Sequence, residues 1–172
     1  MQRTENIFLI GPMGVGKSTI GKQLAAKMGL EFKDTDQEIQ KRTGVDIPTI
    51  FEFEGEAGFR KREQVILDDL TQQRGLVLST GGGIVLDATN RQHLTARGLV
   101  IYLHCSPNQQ YTRTQKDRSR PLLQTENPLA KLQDLMDHRD PLYRQVADHI
   151  VSTEKRNAAS VTNEIYQLVS ES

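Results

Sequence analysis

Short apolar runs alternate with amphipathic stretches from one end of the chain to the other. The run at 6–10 (NIFLI) is β-type and stops at Gly11-Pro12, which predicts a buried strand ending in a turn. Ile20, Leu24, Ala25 and Met28 then recur at helical spacing, predicting a helix over 17–28 with Gly29 at its C-terminal cap. The same alternation predicts strands at 31–33, 76–79 (LVLS), 99–103 (LVIYL) and 149–152. Helices are expected between and after them, at 36–43, 58–73, 89–97, 107–115, 129–146 and 158–169. Strands alternating with helices pair in parallel through right-handed crossovers, so the expected class is α/β, a doubly wound parallel sheet flanked by helices. Neither an internal repeat nor a low-complexity linker divides the chain, and 1–172 reads as a single domain.

Three segments break this rhythm: 11–19, the glycines at 81–83, and 113–123. The first two directly follow predicted strands, where open α/β sheets bind ligands, so one shared cleft is expected. Residues 11–18, Gly-Pro-Met-Gly-Val-Gly-Lys-Ser, match G-x-x-x-x-G-K-[ST] between a strand and an amphipathic helix. In this P-loop the backbone at Gly14, Val15 and Gly16 turns its N–H groups toward phosphate oxygens, and the helix adds its positive end. Lys17 is expected to reach the β/γ-phosphates, the Ser18 hydroxyl to ligate Mg²⁺, and Thr19 to lie near the α-phosphate. Neither an N-K-x-D nor a D-x-x-G string occurs, which argues against a GTPase switch. A motor would need more chain and an acidic strand end, whereas LVLS runs into Thr80 and three glycines. A small kinase is the class that remains.

Composition narrows the setting. The 172 residues carry 22 Lys+Arg against 22 Asp+Glu, so no overall excess of cations favours a nucleic-acid partner. No apolar stretch approaches the roughly 18 residues of a membrane helix, and the N-terminus lacks a cleavage-like site. The single cysteine, Cys105, cannot form an internal disulfide, and the four histidines have no ligand spacing. A cytoplasmic enzyme without nucleic-acid or membrane partners is expected.

Beyond the P-loop, Asp34-Thr35-Asp36, Gly55-Glu56, Phe59-Arg60 with Glu63, Gly81-Gly82-Gly83, Arg120-Pro121-Leu122-Leu123, and Arg139 before Pro141-Leu142-Tyr143 occur in order. Together they resemble the shikimate kinase family over essentially the whole chain. The resemblance implies a P-loop kinase fold with a mobile lid at about 112–124 and a substrate-binding helical region at about 34–62. It also implies phosphoryl transfer from ATP, with Mg²⁺, to the 3-hydroxyl of shikimate by a monomer. By resemblance Asp34 lies on the magnesium side, Asp36 holds acceptor hydroxyls and is the candidate base, and Arg60, Gly82 and Arg139 bind the acceptor. Arg113 would pack on the nucleotide base, Arg120 would reach the transferring phosphate with Arg118 its rival, and Arg156 would touch the nucleotide. Ala158 departs from the proline many members carry there. The residues alone leave other readings open: Asp36 would also suit a cap for a helix starting at Gln37, 81–83 a left-handed turn, and Arg60 a solvated pair with Glu63. Gluconate or nucleoside monophosphate kinases of similar architecture, and a binding module with weak turnover, are the competing functions.

Overall fold

In the computed structural model, which describes residues 5–115, 123 and 125–171, the apolar runs become five parallel strands. They are β1 (Asn6–Ile10), β2 (Glu31–Asp34), β3 (Leu76–Ser79), β4 (Gly98–His104) and β5 (His149–Ser152), in the order β2-β3-β1-β4-β5. The described helices are α1 (Lys17–Met28), α2 (Thr35–Thr43), α3 (Ile47–Thr71), α4 (Ala88–Arg97), α5 (Pro107–Thr114), α6 (Pro128–Val146) and α7 (Ala158–Ser170). A short 3₁₀ turn spans Ile84–Leu86.

Side chains alternate across the sheet and feed two cores. Ile7, Leu9, Val77, Ile101 and Leu103 pack on one face against Ile20 and Leu24 of α1 and Val161 and Ile165 of α7. Phe8, Ile10, Leu78, Val100 and Tyr102 pack on the other against Ile66, Leu67 and Leu70 of α3, Leu94 of α4 and Tyr143 of α6. Each such aliphatic side chain contributes roughly 1.5–3 kcal/mol by leaving water, so a one-residue slip of a strand would forfeit both faces at once. Register is pinned further by the buried Asn6, whose amide donates to the Gln73 carbonyl (2.7 Å) and accepts from the Leu76 N–H (3.0 Å).

Two expectations change. Helix α3 begins at Ile47 and not near residue 58: Asp46 caps it through the Thr49 N–H at 3.0 Å, and Pro48 occupies its first turn. It continues through a non-helical Gly55 (φ 71°), which kinks it before the stretch carrying Arg60 and Glu63. Helix α2 begins at Thr35, and Asp34, not Asp36, is its cap, with Oδ1 accepting from the N–H groups of Asp36 (2.9 Å) and Gln37 (3.2 Å). The capping alternative for Asp36 is thereby removed. Among the described residues no helix is long and apolar enough to cross a membrane.

Candidate active site

The carboxyl ends of β1, β2 and β3 open into a cleft of about 430 Å³, bounded by Lys17, Ser18, Asp34, Asp36 and Gly82 among others. One wall is the P-loop. At Gly11 (φ 143°) any side chain would collide with the Leu103 carbonyl oxygen, so the loop leaves β1 at an angle open only to glycine. Gly16 adopts left-handed geometry at the start of α1 and supplies no side-chain cap, so the first N–H groups of that helix face the cleft without a competing side-chain acceptor. Lys17 is buried, its ammonium donating to the carbonyls of Gly11 (2.6 Å) and Pro12 (2.8 Å). The side chain thus lies along the loop it is expected to serve.

Ser18 and Asp34 meet as the sequence predicts. Ser18 Oγ donates to Asp34 Oδ2 at 2.6 Å, while Asp34 Oδ1 holds the start of α2. Ser79 Oγ stands 3.4 Å from the Ser18 hydroxyl. These are oxygen donors only, the kind a hard cation such as Mg²⁺ takes. Among the described residues no cluster of three or more His, Cys, Asp or Glu could hold a metal by itself, so an ion here would draw its remaining ligands from phosphates and water.

The opposite wall is a partly buried ionic cluster moulded by the glycines. Gly81, Gly82 and Gly83 follow β3, and none of them has a positive φ; Gly83 sits at φ −95°. The left-handed turn is therefore ruled out, and at 81 and 83 glycine is required for room. A Cβ on Gly81 would lie 2.8 Å from Glu63 Oε2 and 3.1 Å from Asp36 Oδ1, one on Gly82 3.4 Å from Arg139 Nη1, and one on Gly83 2.5 Å from Arg60 Nη2. Side chains from α2, α3 and α6 thus converge where three side chains are missing.

Within that cluster Arg60 Nη1 donates to Glu63 Oε1 (2.9 Å), and its other nitrogens reach Glu56 Oε2 at 3.2 and 3.3 Å. Pairing with Glu63 is real, but on a buried face: the Glu63 side chain is 1% exposed. Burial pushes the Glu63 carboxyl above its ordinary pKa, with Arg60 opposing, Asp36 adding to the rise and Arg139 opposing. Arg139 is only 4% exposed. One turn further along α6, the Tyr143 hydroxyl donates to the Gly82 carbonyl, and burial pushes its pKa up to about 12, so it stays a neutral donor. Tyr143, in the sequence only the end of the motif after Arg139 and given no role there, lies one helical turn from Arg139, the spacing that signals a shared site.

On the third side, Arg113 donates to the carbonyls of Gly14 and Val15, both at 3.1 Å, and closes a second hollow of about 320 Å³. That hollow continues from the P-loop past Thr19 to Arg156, Asn157 and Ala158. Arg156 is tied down by the Ser152 carbonyl (2.9 Å) and Glu164 (2.7 Å). Arg118 and Arg120, with most of the expected lid, lie outside the described residues.

A family model described as shikimate kinase matches residues 13–170. The chain belongs to the shikimate kinase family. It is accordingly an ATP-dependent kinase, an enzyme of small-molecule phosphorylation. The shikimate kinase of Methylococcus capsulatus is 56% identical over 165 residues, covering 96% of this chain and 92% of that one. The solved shikimate kinase from Acinetobacter baumannii, in complex with shikimate, is 50% identical with a TM-score of 0.96, covering 98% and 94% of the two chains. A gluconokinase from Sinorhizobium meliloti, 16% identical with a TM-score of 0.56 over 99% and 94%, shares the fold alone. The sequence-based shikimate kinase resemblance and the doubly wound P-loop kinase fold are both borne out.

Proposed function

We propose that the chain transfers the γ-phosphoryl group of ATP to the 3-hydroxyl of shikimate, giving shikimate 3-phosphate and ADP. The observation that carries this reading is the meeting of Arg60, Arg139 and Asp36 around Gly81–Gly83, one strand away from the phosphate loop. Two guanidinium groups suit an acceptor carboxylate, since their planar forks make paired charge-assisted hydrogen bonds. Neutral polyols would gain nothing from that charge. The Acinetobacter enzyme, solved in complex with shikimate, supports the same acceptor.

On this reading the labour is divided as follows. The P-loop amides from Gly14 to Thr19 and the Lys17 ammonium hold the ATP phosphates, while Arg113 and Arg156 border the base. Asp36, on the first turn of α2, accepts a hydrogen bond from the acceptor hydroxyl and takes its proton as the oxygen attacks the γ-phosphorus and ADP leaves. Gly82 lets the acceptor approach the backbone, and Tyr143 holds that backbone in place. Ser18 and Asp34 would hold Mg²⁺, which supplies neutralisation of phosphate charge when bound. Arg120 is assigned to the transferring phosphate on its Arg-Pro-Leu-Leu motif. The enzyme is read as a cytoplasmic monomer without nucleic-acid or membrane partners, its buried Cys105 a packing thiol. A coupled ADP-release assay offered shikimate, gluconate and AMP tests the reading: shikimate alone should stimulate turnover, and stimulation by either other acceptor, or by none, refutes it.

A further inference from the structure

We propose that Glu63 is a specificity-determining residue that takes up a proton from solvent when a carboxylate-bearing acceptor docks on Arg60 and Arg139, linking acceptor binding to proton binding. This rests on the functional reading above and adds a coupling that reading does not require.

Glu63 is unlike an ordinary helix-surface acid. Its Oε1 accepts from Arg60, but its buried Oε2 has no hydrogen-bond partner among the described residues. That oxygen lies beside Gly81, facing the same point as Asp36 Oδ1. The groups facing Glu63 are few and come from each element packed on it: Arg60 from its own helix, Asp36 from α2, and Arg139 and Tyr143 from α6. The glycine loop adds no side chain. Two cations therefore face the Glu63 and Asp36 carboxylates, with Arg60 also shared by the exposed Glu56, and the guanidinium groups offset only part of the penalty for burying the Glu63 charge.

An acceptor carboxylate brings a further negative charge to the same two cations. Their attraction is then shared, while the cost of keeping Glu63 ionised away from water persists. The cheapest way to restore balance is for the free, buried Oε2 to accept a proton, which also removes repulsion between Glu63 and the incoming anion. Linkage makes the effect reciprocal: docking an acid raises the proton affinity of Glu63, and protonated Glu63 binds the acid more tightly. Acceptor Kd should consequently rise with pH, by up to about tenfold per unit where uptake is complete. A neutral ester of the same acceptor brings no charge and should bind without this dependence.

Isothermal titration of the whole protein with shikimate, from pH 6 to 9 in buffers of differing ionisation enthalpy, counts the protons taken up on binding. Wild type is expected to show net uptake, approaching one proton within part of that range. Glu63→Gln, which keeps shape and volume, should abolish it and flatten the pH profile of Kd; the methyl ester of shikimate should show none with wild type. Shikimate binding to wild type without uptake at any of these pH values, or the same uptake in Glu63→Gln, overturns the coupling while leaving the functional reading intact. If Glu63→Gln does not fold, wild type still decides, because equal uptake for acid and ester overturns the proposal. No binding of shikimate at all would overturn the functional reading, and this inference with it.

Discussion

Adding one methyl group at Gly83 should disable acceptor recognition while leaving the fold in place. Gly83 sits at φ −95°, ψ 12°, a conformation alanine accepts, so the backbone has no reason to move. The new Cβ would instead lie 2.5 Å from Arg60 Nη2 and 2.6 Å from Cζ, so the guanidinium must withdraw by roughly 1 Å to reach ordinary van der Waals contact. Being the end of a flexible side chain, it can do so, but it then leaves the position that Glu63 fixes at 2.9 Å. Losing charge-assisted hydrogen bonds worth about 1.5–3 kcal/mol corresponds to about a 10- to 150-fold rise in the acceptor KM. The nucleotide side is untouched, so the KM for ATP should be unchanged. Global stability should alter by only about 1–2 kcal/mol, since the smaller unfolded-state entropy of alanine partly offsets the disturbed Arg60–Glu63 pair. Gly44→Ala is the matching control: its φ of 75° strains alanine, nothing lies within 4 Å of the new methyl, and only the melting temperature should fall. Steady-state kinetics with each substrate varied, beside thermal melts of both variants, makes the comparison. A KM for the acceptor within threefold of wild type in Gly83→Ala would show that Arg60 is structural and not a recognition group.

Lys17→Met is expected to abolish turnover with the far-UV spectrum unchanged, because it removes the charge assigned to the ATP phosphates while the methionine stem still fills the buried site. Asp36→Asn should cost at least ~10²-fold in kcat/KM, as loss of a positioned base does, whereas Asp34→Asn should preserve the α2 cap and instead raise the magnesium concentration needed for activity. Identical magnesium titrations for those two variants would contradict the division of roles. Arg139→Lys keeps the charge but loses the fork, and should weaken acceptor binding by about 1.5–3 kcal/mol while reducing discrimination between shikimate and its methyl ester; unchanged discrimination counts against a carboxylate clamp.

Much of the frame is legible in sequence because its signals are local. NIFLI, LVLS and the 17–28 stripe carry their own periodicity, and the P-loop lies between two such signals. The start of α3 is hidden because Gly55 and Gly58 interrupt the pattern and Phe51-Glu-Phe-Glu alternates like a strand. Its true signal is the pair Asp46 and Pro48, a cap and a first-turn proline. At the site, residue types are readable but environments are not. Glu63 reads as a surface partner of Arg60 because its burial comes from a loop some twenty positions away in the chain, which no local window contains. Arg139 looks solvated for the same reason, and the glycines at 81–83 suggest backbone freedom where the fold uses empty volume.

The pairing of β1 with β3 also fixes a length scale. Leu9 lies opposite Ser79, and Thr80 donates twice to the Leu9 carbonyl, from its N–H at 3.2 Å and its hydroxyl at 2.8 Å. The phosphate loop leaves one of these strands and the glycine loop at 81–83 the other, so the two loops begin one ladder spacing apart, about 4.8 Å. That interval belongs to the most deeply buried part of the sheet, which opens only when the whole domain does. Motions of the outer helices can shift the side chains of Asp36, Arg60 and Arg139 over the gap, but they leave the roots of the two loops where the ladder holds them. The spacing of the two loop roots is thus set by the same backbone hydrogen bonds that decide whether the protein is folded at all.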